Sequence, residues 1–148
     1  MKIRNIILTV VMIAAMTLSF AGCGSKGGDE APEVKIDYGT SELYSQEDMD
    51  SAIEKIEKEF AGWEGCELHS IVYAGDECQN EENIKWLNEL AEANGYDTPI
   101  VQVIEFKSTF HSPVDGGGSW EADKEYEDWS WFLGKTDGGD WKLISWGY

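Results

Sequence analysis

The chain has 148 residues with 11 basic and 29 acidic side chains, a net charge of −18 and an aromatic content of 12 %. That acidity excludes nucleic acid as a partner, because phosphate binding needs a basic footprint, and it repels anionic lipid. The length suits one domain, and the aromatic side chains supply a core for it.

Lys2 and Arg4 precede a largely apolar stretch from Ile6 to Phe20, which closes on Leu18-Ser19-Phe20-Ala21-Gly22-Cys23. This order resembles a bacterial lipoprotein signal, which implies cleavage before Cys23 and a diacylglyceryl group on its sulfur. Phe20 departs from the pattern, since such signals more often hold Leu three residues before the cysteine. An ordinary secretory signal shares the basic start and the small residues at the cleavage site. A transmembrane anchor needs about 20 apolar residues, and Arg4 and Asn5 weaken the one run near that length. In all three readings the basic N-terminus stays inside. The domain is therefore expected outside the cytoplasm, with the membrane as a partner through lipid on Cys23. Two or more acyl chains make such anchoring stable.

Gly24 to Asp37 is rich in Gly, Ser, Lys, Asp, Glu and Pro, with no apolar period. It reads as a tether which, counted to Tyr44, spans roughly 25 Å as a flexible coil. Val34-Lys35-Ile36 alternates and is the one piece suited to docking as an edge strand. The expected division is a signal at 1–22, a lipidated tether at 23–44 and one domain at 45–148.

The first helix starts at Ser45, a good N-cap, with acidic residues through its first turn. Met49, Ala52, Ile53, Ile56, Phe60 and Trp63 fall at helical spacing, and Gly62 and Gly65 end the run. Cys66 to Tyr73 reads as a strand, with Cys66, Leu68 and Ser70 alternating against Glu67, His69 and Ile71. Asn80 to Asn94 is a second helix, with Ile84, Leu87, Leu90 and Ala91 inward and Gly95 as its stop. Ile100 to Phe110 is β-rich. A glycine-rich loop spans His111 to Asp123, and Tyr126 to Lys135 is a strand with Trp129, Trp131 and Leu133 on one face. Thr136 to Asp140 turns the chain, and Trp141 to Trp146 returns antiparallel.

Cys66 and Cys78 are the cysteines left after lipidation. The strand between them carries the chain about 23 Å at ~3.3 Å per residue. The five steps after Tyr73 recover about 17 Å, and a disulfide tolerates a Cα separation of only about 4.4–6.8 Å. Two separate thiols are expected, and no His or Cys partner stands at zinc-ligand spacing.

The order helix, strand, helix and three strands, closed by a hairpin, resembles the nuclear transport factor two-like (cystatin-like) α+β fold. In that fold helices pack on a curved antiparallel sheet. Tyr126-Glu127-Asp128-Trp129-Ser130-Trp131-Phe132-Leu133, Gly138-Gly139-Asp140-Trp141-Lys142-Leu143 and Ser145-Trp146-Gly147-Tyr148 carry a closer likeness. They are similar to a group of small Gram-positive lipoproteins without assigned biochemistry. The Ser45 helix start and Gly118-Ser119 fit that group more weakly. The likeness implies the fold and no catalytic residue, because a fold does not fix a function.

Three kinds of chemistry are weighed on these elements. The isomerase branch of the fold uses an acid and a Tyr in an apolar cone, which makes Asp128 a candidate base beside Tyr126 and Ser130 on one strand face. The same residues equally suit a solvent-facing strand side. His69 and His111 are the only imidazoles, and nothing in the sequence brings them together. Asp115-Gly116-Gly117-Gly118 and Asp137-Gly138-Gly139-Asp140 lack the alternating acids and closing Glu of calcium loops, and read as turns. No cofactor or metal is expected.

The tryptophans carry the binding hypothesis. Trp129, Trp131, Trp141 and Trp63 read as core, while Trp86 lies off the apolar face of the second helix. Trp120 sits in the glycine-rich loop, suited either to stacking on a ligand or to tucking back as a lid. Trp146 and Tyr148 end the chain and rim the same opening. The expectation is a non-enzymatic module for an unidentified small ligand or envelope protein. The alternatives are a cone-cavity enzyme and an oligomeric structural subunit of the cell envelope.

Overall fold

The computed structural model describes residues 33–148. Cys23, the signal and the first part of the tether lie outside the described residues. None of the described helices is long and apolar enough to cross a membrane.

Helix α1 spans Gln46–Phe60, and the Ser45 side chain accepts the Asp48 backbone N–H at its start. Met49, Ala52, Ile53, Ile56 and Phe60 are buried along one stripe, as their spacing requires. Helix α2 spans Glu81–Ala93 and is capped by Asn80, whose Oδ1 accepts from Asn83 at 2.8 Å. It ends where Gly95 adopts φ +81° and the Tyr96 N–H returns to the Ala91 carbonyl at 2.9 Å, a Schellman-type closure.

Five strands form one sheet: β1 (Lys35–Asp37), β2 (Glu67–Tyr73), β3 (Ile100–His111), β4 (Glu125–Thr136) and β5 (Trp141–Gly147). They lie side by side in chain order. β1 runs parallel to β2, and the remaining pairs are antiparallel. The molecule is α+β, with two helices on a curled sheet in the expected order and one additional N-terminal strand.

Alternation along the strands sorts the core into two layers. Ile104, Phe106, Phe110, Trp131, Leu133 and Trp141 pack with the buried stripe of α1. Ile100 and Val103 pack with Leu87 and Ala91 of α2. Ile104 and Val103 are neighbours in sequence and so point to opposite faces. The sheet thus lies between the helices. Trp86 joins the second layer, its ring 4.9 Å from Phe132 and perpendicular to it.

The tether expected at 23–44 is corrected over its second half. Lys35–Asp37 pairs with Ser70, Ile71 and Val72. Tyr44 is buried, donates its hydroxyl to the Val103 carbonyl at 2.7 Å, and meets Tyr73 and Trp141 edge to face. Asp76 receives the Ser41 and Tyr73 hydroxyls and the Glu42 N–H. Val34, Ile36 and Tyr38 also pack against the core, so the alternation at Val34-Lys35-Ile36 docks as an edge strand and the Tyr44 and Asp76 contacts fix the residues that follow.

The alternation expected from Cys66 to Tyr73 is corrected as well. A register shift falls between Leu68 and Ser70, so Leu68, Ile71 and Tyr73 are buried, and Ser70 does not share the Leu68 face. A β-bulge adds one residue to a strand and reverses the parity beyond it. Cys66 and Cys78 are both free thiols. Cys78 is buried, which pushes its thiol up to about 11.

One end of the sheet gathers four segments. The turn from α1 into β2, the loop joining β3 to β4, and the C-terminus after β5 meet there. The chain enters at Glu33 beside His69, Ser70 and Thr109.

Candidate functional site

That end holds the densest aromatic cluster of the domain. Trp63 follows α1 in a turn closed by its own N–H to the Phe60 carbonyl and by the Cys66 N–H to the Trp63 carbonyl. Its indole stacks on Trp131 at 5.1 Å and leans on Trp120 at 4.9 Å. Gly65 lets this turn meet the loop: its φ is +75°, and a Cβ there would stand 2.8 Å from Pro113 Cγ. Only glycine suits both conditions.

The loop is tied at its base. Ser112 is buried, accepts the Lys124 N–H at 3.0 Å and donates to the Glu121 carbonyl at 2.6 Å. The Asp123 and Gly116 N–H groups both reach the Pro113 carbonyl, and Trp120 closes a turn on Gly117. Trp120 therefore tucks back as a half-buried lid, in contact with Phe110, Tyr126 and Trp129 as well as Trp63.

Two hollows open beside it. A cavity of about 550 Å³ is lined by Trp63, Glu64, Pro113, Asp115, Gly117 and Trp120, among others. A second, of about 460 Å³, is lined by Trp63, Ser119, Trp120, Tyr126, Trp129 and Trp146. Trp63 and Trp120 belong to both walls. Trp146 stacks on Trp131 at 6.2 Å and remains 43 % exposed. Tyr148 is more exposed still and meets Trp129 edge-on at 5.1 Å. The Trp129 indole N–H is buried without a hydrogen-bond partner.

Asp128 stands elsewhere. It has φ +55° in a stretch where three β4 steps oppose two on β3. The irregularity places Tyr126 and Trp131 in the core with Trp129 half-buried against them, whereas Asp128 is exposed to solvent. The expected shared face of Tyr126 and Asp128 is corrected, because residues two apart share a face only in a regular strand. Asp128 does not line either hollow.

The separation expected of the two histidines is also corrected. His69, at the β2 bulge, and His111, at the end of β3, stack with ring centroids 6.3 Å apart. Glu125 bridges them, accepting from His69 Nδ1 at 3.0 Å and His111 Nδ1 at 2.9 Å. His111 Nε2 faces Asp123 at 3.0 Å, and His69 Nε2 lies 3.9 Å from Glu67. Hydrogen bonds donated to the Asp123 and Glu125 carboxylates raise the His111 pKa above the usual imidazole value. Burial pushes the Glu125 carboxyl up, but the two imidazoles outweigh it and hold the group below the carboxylate range. Among the described residues no group of three or more His, Cys, Asp or Glu converges to hold a metal ion. The network instead staples the foot of the Trp120 loop to β2.

Sequence reasoning missed this network and the place of Trp63 in both cavity walls. The helical stripe marked Trp63 as core, and only the Gly62–Gly65 turn hinted that it leaves the helix. No protein-family model matches the chain, and no curated protein or solved structure matches it either.

Proposed function

We propose that this chain is a lipid-anchored, extracytoplasmic binding module whose working surface is the aromatic end of the sheet. The observation that carries this reading is the second hollow, where four indoles and a tyrosine surround one small polar side chain, Ser119. Ligand pockets are built this way, mostly apolar with a few placed polar groups. Anchoring rests on the signal ending at Cys23, which raises the local concentration of the module at the membrane.

The test uses full-length lipidated protein in detergent, with thermal shift and tryptophan fluorescence read together. Metals, glycans, peptidoglycan fragments and small apolar ligands are the probes. A saturable change is expected with one probe class, and it should weaken in Trp146→Ala, which removes an exposed rim indole and little core. Trp120→Ala is the poorer variant, because Trp120 packs on four other aromatic rings. A saturable change that is identical in Trp146→Ala would move the site elsewhere. Separately, Cys23→Ala should abolish metabolic labelling by radioactive fatty acid, and persistence of the label would remove the anchor from the proposal.

A further inference from the structure

We infer that the larger hollow takes the organic ammonium group of a ligand whose apolar body lies in the second hollow, across the Trp63 and Trp120 walls the two share, so the ligand class of the proposed binding module is an alkylammonium compound. The inference rests on that reading and deepens it. Glu64 and Asp115 line the cavity together with the Trp63 and Trp120 indoles, and no lysine or arginine does. Neither carboxylate has an ion-pair partner among the described residues. An indole attracts a cation through its quadrupole, and a nearby carboxylate adds Coulombic attraction.

The same cluster already holds an ammonium of its own. Lys124 Nζ lies 5.2 Å from the centre of the Tyr126 ring and 2.6 Å from Glu121. Glu64 and Asp115 share the wall of the larger hollow with two indoles, so carboxylate and aromatic ring occur together there as well, with no side-chain cation in the lining. The charge of −18 acts in the same direction over longer range, raising the local concentration of cations. An anionic ligand meets the opposite field. A neutral sugar has use for the indoles and gains nothing from the charge.

The test compares choline with its uncharged isostere, in which carbon replaces nitrogen, on full-length protein in detergent. Tryptophan fluorescence reports binding. Choline should bind roughly tenfold tighter than the isostere. The double substitution Glu64→Gln and Asp115→Asn should erase that difference, leaving the melting temperature unchanged because both side chains are exposed. Added salt should weaken choline and leave the isostere alone. Equal binding of choline and isostere overturns the inference while leaving an apolar binding module. Binding of a glycan with none of choline does the same. Retained choline affinity in the double variant also overturns it, by moving the cation to another site.

Discussion

His111 presents both ring nitrogens to carboxylates, Asp123 on one side and Glu125 on the other, so its protonated form is the one the fold prefers. A raised folded pKa means that this stabilisation is fully present below the unfolded imidazole value of about 6.5 and is lost as pH rises through the folded value. Glu125 behaves in the opposite sense. Its depressed pKa gives stability that is present above the unfolded carboxylate value and lost as pH falls through the folded one. Glu67, Glu33 and Lys35 face His69 at the other end of the network. The network is therefore strongest in mildly acidic solution. Melting temperature should fall between pH 6 and 9 in the native chain and be flatter in His111→Gln. Parallel curves for the two proteins would show that this contact does not set the dependence. The effect is expected to be small, because every member is partly exposed and solvent-screened. None of this was legible from the sequence, since His69 and His111 meet only through strand pairing, and the bulge at His69 decides where its ring points.

At the scale of elements, the two helices and the terminal hairpin were readable because each carries its own local instructions. Ser45, Asn80 and Gly95 cap helices by their own chemistry, and the buried stripe of α1 is visible at a period of 3.6. The edge strand at Lys35–Asp37 was hinted at by the alternation of Val34-Lys35-Ile36, whereas the bulges and the docking of residues 38–44 were not readable, since they depend on what neighbouring elements offer. Two substitutions test how tightly these elements fit. Gly134 sits under Ile100, and an added Cβ would stand 2.6 Å from its Cδ1 and 2.9 Å from its Cγ2. Gly134→Ala should cost about 1–3 kcal/mol by overpacking, measured by denaturant unfolding. That cost should shrink in an Ile100→Ala background, and an undiminished cost would place the clash elsewhere. A chain starting at residue 45 loses β1, the Ser41 and Glu42 contacts to Asp76 and the buried Tyr44 ring. Removing a buried aromatic side chain alone costs about 3–5 kcal/mol, so this shortened chain should melt far below one starting at residue 33. Equal melting temperatures would restore residues 33–44 to the tether.

For the whole molecule, the proposed anchor makes the direction of the sheet decide which end would face the membrane. The chain enters at Glu33, beside the end of the sheet that carries both hollows. With Cys23 as the proposed anchor, ten residue steps separate it from Glu33, a distance of at most about 35 Å. The 12-residue β4 holds the other end of the sheet roughly 40 Å farther off at ~3.3 Å per residue. Acidic charge keeps the domain from lying flat on anionic lipid, so the aromatic end should face the bilayer across a short gap. A fluorophore placed by Val114→Cys, on the exposed loop near the hollows, is then nearer the lipid than one placed by Asp137→Cys in the distal hairpin. In a Cys66→Ser background, energy transfer to an acceptor on lipid headgroups should be clearly stronger from position 114. Inserting about 20 Gly/Ser residues before Glu33 should lower that transfer and shrink the difference, because a longer flexible tether frees the orientation. Equal transfer from the two positions with the native tether would mean that the hollows are not presented to the membrane side, and that their ligand arrives from the surrounding medium.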